Sequence, residues 1–271
     1  LFDSERVVTK VHGINGRQAF TTKPHLPTKI GTFLGDQLYR LKDGRRILTA
    51  SQSTKDRLVD RVRANPDEIT VAQNGIDVSE FDYEFSPEGP VLSLCMLTPR
   101  KNIATLLRAW ATLEAKGIDR ELIIAGDGPS RDRLEDLATD LDLQQVTFKG
   151  YVPEAEKKRL LEDAYCYVLP TRLEGLGLSN LEAMASGCVL ISTRTYGVRD
   201  YLEHEKNGLA VSPEDPDALA KEIERVLGNT ELGERLSIAG RETVETEFRI
   251  EDAVEREREI LEAFVDQAET I

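Results

Sequence analysis

Two carboxylates, Glu174 and Glu182, flank seven residues that hold two glycines and the start of a helix-like run. The whole stretch is Pro170-Thr-Arg-Leu-Glu-Gly-Leu-Gly-Leu-Ser-Asn-Leu-Glu-Ala-Met-Ala-Ser-Gly187, and the apolar Ala164-Tyr-Cys-Tyr-Val-Leu precedes it. The order reads strand, glycine loop, helix. Gly175 and Gly177 let a ligand approach the backbone closely. A helix from about Leu178 would aim free N–H groups and its positive dipole end at that loop, which makes a seat for a phosphate. Carboxylates on either side can accept hydrogen bonds from hydroxyls. A nucleotide-sugar offers both chemistries. The same residues could also form a tight turn with two solvated glutamates.

Cations stand at a second strand end. Leu94-Cys-Met-Leu-Thr-Pro-Arg-Lys-Asn102 leads into a helical pattern. Charges there lie where open parallel sheets bind ligands. Lys101 offers a point charge to a diphosphate and Arg100 a forked one; a solvated pair in a loop is the plainer alternative. Gly126-Asp-Gly-Pro129 closes a strand and opens a helix, with Pro129 suited to the first helical position. Tyr151 and Val152 end another strand, where ring or backbone could meet a base or simply pack. His12 ends the run Val7-Val-Thr-Lys-Val-His-Gly13 and reads as a structural histidine on sequence alone.

The spacing around Glu174 and Glu182 resembles the E-x7-E motif of glycosyltransferase family 4, the retaining group with the GT-B fold. The resemblance covers nearly all of residues 5–265 and is strongest over 90–190. It implies transfer of a sugar, hexosyltransferase-like, from a nucleoside-diphosphate sugar, with no metal and no cofactor. Glu174 would hold sugar hydroxyls, Glu182 the ribose, and Lys101 with Arg100 the diphosphate. Gly175, Gly177 and Leu178 would line the donor site, and Tyr151 or Val152 would meet the base. His12 and Gly13 would reach the donor sugar from the other side of a cleft. Two departures stand out. Cys95 and Met96 occupy the place of the family's Gly-Arg, and Val198 and Asp200 differ from the usual residues of Gly197-Val-Arg-Asp200. The alternatives are a nucleotide-binding fragment or pseudoenzyme, or another GT-B enzyme such as an epimerase.

Composition bounds these readings. The chain has 271 residues, 40% of them hydrophobic and 6% aromatic, as expected for a globular protein of one large or two modest domains. No apolar run reaches the about 18 residues of a membrane span. The three cysteines, Cys95, Cys166 and Cys188, lie in apolar runs without metal-ligand spacing, which fits buried reduced thiols and a cytoplasmic setting. The formal charge is −14. It is uneven: residues 1–63 hold 13 Lys and Arg against 6 Asp and Glu, the remainder 22 against 43, so the balances are +7 and −21. The acidic part would repel nucleic acid. The basic part, with a helix-like run over 29–42, could make weak contact with the inner face of a membrane and so favour a glycan or lipid-linked acceptor.

The elements that would position these groups alternate as in an α/β protein. Residues 91–249 contain six strand candidates, at 91–96, 122–125, 146–150, 165–169, 189–192 and 209–211. Helical patterns lie at 103–116, 131–140, 154–163, 178–186 and 216–227. Together they make one complete doubly wound, Rossmann-type nucleotide-sugar domain. Residues 1–80 show only three strands, at 7–12, 47–51 and 69–73, and read as the acceptor-side domain lacking its start. Residues 81–90, with Pro87, Gly89 and Pro90, read as a linker. The charged helix over 250–271 would cross back to the first domain.

Overall fold

The computed structural model describes residues 8–11 and 46–269. His12, Gly13 and the basic 29–42 run lie outside the described residues. The first sheet has three parallel strands in the order β1 (Val8–Val11), β2 (Arg46–Thr49), β3 (Ile69–Val71). Helix α1 (Gln52–Val62) leaves β2, with Ser51 at its N-cap accepting from Thr54 N–H.

The second sheet holds β4 (Val91–Leu94), β5 (Leu122–Ala125), β6 (Val146–Gly150), β7 (Cys166–Leu169), β8 (Val189–Thr193) and β9 (Leu209–Val211). All pairs are parallel, in the order β6-β5-β4-β7-β8-β9. Counted within this sheet the order is 3-2-1-4-5-6, the doubly wound arrangement of dinucleotide-binding domains. The expected α/β architecture, a complete Rossmann-like unit preceded by a second parallel sheet, is therefore present. Strands β5, β7 and β8 are buried at every residue, as both faces are covered by helices. Edge strand β6 instead alternates.

The covering helices are α2 (Ile103–Ala115), α3 (Arg131–Asp140), α4 (Glu154–Asp163), α5 (Leu178–Ala185), α6 (Pro216–Leu227) and α7 (Thr230–Glu247), and α8 (Ile250–Glu269) follows them. Asp215 caps α6 by accepting from Ala218 N–H, and Pro216 occupies its first turn. Helix α7 carries Gly233 and Gly240, which break the apolar pattern of its sequence. Gly233 is needed for close approach: a Cβ there would lie 2.0 Å from the Tyr165 hydroxyl. That hydroxyl donates to Val226 O at 3.1 Å, so it cannot retreat freely. Gly233→Ala should lower stability by about 1–3 kcal/mol in denaturant titration through overpacking; an unchanged midpoint would show that α7 can shift.

The two sheets are joined twice at one place. Ile76 N–H donates to Phe248 O at 2.8 Å, and Ile250 N–H donates to Ile76 O at 2.9 Å. Beyond this seam α8 runs to the first sheet, where the Arg46 guanidinium lies 4.8 Å from the Phe264 ring centre.

Candidate active site at the sheet switch point

Strands β4 and β7 are neighbours, and the chain leaves them toward opposite faces. The crevice beyond their C-terminal ends is the ligand position in such sheets. After β4, the 98–101 turn closes with Lys101 N–H on Thr98 O at 3.0 Å. After β7, the loop 171–174 docks on that turn: Arg172 N–H donates to Arg100 O at 2.8 Å, and the Arg172 guanidinium to Pro99 O at 2.6 Å. The two loops therefore fix each other.

This docking brings together residues 73 apart in the chain. Lys101 Nζ lies 2.5 Å from Glu174 Oε2, with each side chain 10% exposed. Arg100 donates to Leu173 O at 3.0 Å and reaches Glu174 Oε1 at 3.4 Å. The buried thiol of Cys95 is pushed up to about 11, mainly by desolvation, and stays protonated beside this pair.

Gly177 precedes α5 at φ +89°, a left-handed conformation that glycine adopts without cost. It carries no side chain, so no cap covers the N-terminal N–H groups of α5. Gly197, at φ +81°, lets the 196–200 loop press on the glycine loop; a Cβ there would sit 2.4 Å from Gly175 O.

Together these groups line a cleft of about 610 Å³. Arg100, Lys101, Glu174, Gly175, Gly177 and Leu178 form one wall, and Ala50, Thr54, Arg57 and Asn74 the facing wall from the first sheet. Glu182 lies in the second turn of α5 and is not part of this lining. Its carboxylate turns to α4, where Lys157 Nζ lies 3.1 Å away. Burial raises its pKa above the ordinary Glu value, and Lys157 opposes that shift. Tyr151 is 79% exposed beyond β6, Val152 packs partly against the core, and Met96 is 67% exposed beyond β4. Tyr151 and Met96 flank the 126–128 turn, whose Gly126 N–H donates to Gly150 O.

The sequence carried no local signal for Arg57, Thr54 or Lys157 as cleft or carboxylate partners, because each acts on residues far along the chain. Nor did it announce the contacts that hold the two walls. Ser51 Oγ donates to Gly175 O at 2.8 Å. Ser53 N–H donates to Asp200 Oδ2 at 2.9 Å, and Ser53 Oγ to the other oxygen. Arg199 pairs with Asp56 at 3.3 Å. The ring of Tyr196 lies between the guanidiniums of Arg57 and Arg199, at 4.6 and 4.5 Å. Asp200 thus fastens the N-terminus of α1 from across the cleft. Asp200→Ala should raise KM for a two-substrate reaction by about tenfold, since it removes charge-assisted hydrogen bonds between the walls. Calorimetric affinity for a ligand held by the second sheet alone should hold; a parallel loss of that affinity would reject the cross-cleft role.

The model of the family Glycosyl transferases group 1 matches residues 82–243, more than half of the chain. The chain belongs to this family. An uncharacterized glycosyltransferase of Methanocaldococcus jannaschii is 32% identical over 199 residues, which are 68% of this chain and 51% of that protein. A GDP-mannose-dependent alpha-(1-6)-phosphatidylinositol monomannoside mannosyltransferase of Mycobacterium tuberculosis is 31% identical over 175 residues, 62% of this chain and 46% of that one. The chain therefore spans about half the length of these relatives. Among solved structures, sucrose-phosphate synthase from Thermosynechococcus elongatus superposes with a TM-score of 0.82 at 23% identity, covering 96% of this chain and 68% of that one. Anabaena Alr3699/HepE in complex with UDP-glucose gives 0.80 at 18% identity, covering 94% and 72%. These two likenesses concern the fold.

Proposed function

We propose that this group 1 chain carries the donor site of a retaining, family 4-type glycosyltransferase, which moves a hexosyl group from a nucleoside-diphosphate sugar without a metal. The observation that carries this reading is the Lys101–Glu174 pair at the sheet switch point, beside the uncapped N-terminus of α5. Lys101 and Arg100 meet the diphosphate, and the α5 N–H groups add their dipole. These fixed charges stabilise the negative charge that grows on the departing diphosphate. Glu174 accepts from the sugar hydroxyls, Glu182 from the ribose, and the 151–152 segment meets the base. By the resemblance His12 and Gly13, outside the described residues, would complete the donor site. The acceptor hydroxyl attacks from the side that the leaving group vacates, so the anomeric configuration is retained.

The donor reading is supported by relatives whose names specify a nucleotide-sugar, GDP-mannose in one case. A panel of UDP- and GDP-sugars with glycan and lipid-linked acceptors tests it. Turnover with one donor is expected, and binding without turnover across the panel would leave a nucleotide-binding protein. The exposed apolar Met96, at the place of the family's arginine, favours that second reading.

An acceptor at the inner face of a cytoplasmic membrane is part of the proposal. No described helix is long and apolar enough to cross a membrane. The basic first segment should give weak, salt-sensitive flotation with anionic vesicles. Equal binding to neutral vesicles would reject the membrane contact.

A further inference from the structure

We infer that Lys157 is a positioning residue of the nucleotide site, which keeps the Glu182 carboxylate ionised and aimed for hydroxyl binding. The inference rests on the proposed role of Glu182 toward ribose. Lys157 sits in the first turn of α4, where the helix dipole disfavours a cation. Its side chain is nevertheless 15% exposed. It is held there by Glu182 at 3.1 Å, by Glu154 at 2.7 Å and by the Phe81 ring at 5.8 Å. A lysine half-buried against the dipole and clamped by two carboxylates is a placed charge. It also has a telling position. The chain runs from the exposed Tyr151 through Val152 and Pro153 directly into the helix turn that carries Lys157. One short segment thus links the end of β6, where a base would lie, to the carboxylate that would hold the ribose.

The groups facing Glu182 are few. Lys157 and Glu154 come from α4, and Glu80 from the 78–80 turn, where Lys158 pairs with it at 3.0 Å. The buried Tyr167 on β7 donates its hydroxyl to Leu94 O at 2.6 Å. Burial raises the proton affinity of Glu182, as do Glu154 and Glu80; Lys157 is the group that opposes them. Burial alone would lower Lys157, but its bonds to Glu154 and Glu182 outweigh that and keep its pKa above the ordinary value. Lys157 therefore stays charged while Glu182 begins to take up a proton as pH falls. A protonated Glu182 is a poorer acceptor for ribose hydroxyls. Without Lys157, that loss must begin at higher pH.

The test compares UDP and GDP with their 2′,3′-dideoxy counterparts by calorimetry on the full chain, as a function of pH. The ratio of ribo to dideoxy affinity cancels the titration of the phosphates. In the parent this ratio should fall as pH falls. In Lys157→Met the fall should begin at higher pH, so the ratio drops below the parent's on the acidic side and rejoins it on the alkaline side. Lys157→Arg should follow the parent. Glu182→Gln should give a low ratio without this pH dependence, with or without Lys157→Met. Lys157→Gln carries the same expectation if Lys157→Met does not fold. A Lys157→Met profile that tracks the parent overturns the inference, and so does one that survives Glu182→Gln. If the parent binds diphosphates but does not distinguish ribo from dideoxy forms, the ribose role of Glu182 falls and the inference with it, while the nucleotide site stands. If the parent binds neither diphosphate, the nucleotide reading itself fails.

Discussion

Glu174→Ala abolishes transfer in the proposed site, and the loss falls mainly on turnover. Glu174 is the carboxylate at the centre of the cleft, within reach of Lys101 at 2.5 Å and Arg100 at 3.4 Å. In the proposed donor complex it would hold sugar hydroxyls and screen the two cations from each other. Removing charged hydrogen bonds costs about 1.5–3 kcal/mol, or roughly 10–150-fold, for the hydroxyl contacts alone. Displacement of Lys101 and Arg100 adds to that. Glu174→Gln retains the shape and isolates the charge, and should recover part of the loss. Single-turnover kinetics with saturating donor would check the result; a rate within about threefold of the parent for Glu174→Ala would remove this residue from the site.

Lys101→Ala should damage both stability and diphosphate binding, and a second substitution should separate the two effects. Both partners of the pair are 10% exposed, so losing Lys101 leaves the nearly buried Glu174 with only the longer contact to the more exposed Arg100 at 3.4 Å. Breaking a buried pair in this way costs about 3–5 kcal/mol. Neutralising both partners in Lys101→Met/Glu174→Gln removes the stranded charge, and stability should return to within about 1.5 kcal/mol of the parent. Diphosphate binding should not return, because the cation is still missing. Affinity for the bare nucleoside should be unchanged throughout. Denaturant midpoints and calorimetry on the three proteins would read both quantities. Recovered diphosphate affinity in the double variant would assign phosphate recognition to other groups.

Much of the second sheet was legible in the chain, for a physical reason. Parallel strands buried on both faces are near-continuous apolar runs, and five of the six were placed within one residue of an end or at both ends. The 91–96 expectation ran two residues past β4, because Cys95 and Met96 continue the apolar run after the ladder ends. Helix α7 was not expected, since Gly233 and Gly240 interrupt its apolar stripe; they are there to let it lie close to Tyr165 and Met184. Helix α1 was also missed, with a polar sequence that buries only a narrow face. In the candidate site, the glycine loop and its helix were visible because their chemistry is local. The pairing of Lys101 with Glu174 was not, since it depends on two loops meeting after the sheet forms. The same holds for Ser53 with Asp200 and for Lys157 with Glu182. Long-range complementarity leaves no spacing to read.

The seam at Ile76 and Phe248–Ile250 bears on how the molecule is made. Helix α8 follows that seam and covers the first sheet at Arg46. On the ribosome the first sheet therefore emerges before its cover, with the whole second sheet synthesised in between. Synthesis at about 5–20 residues per second leaves that surface open for on the order of ten seconds or more. The second sheet and its helices can finish within that interval. The seam, and with it the cover of the first sheet, is then made only after both walls of the cleft have emerged.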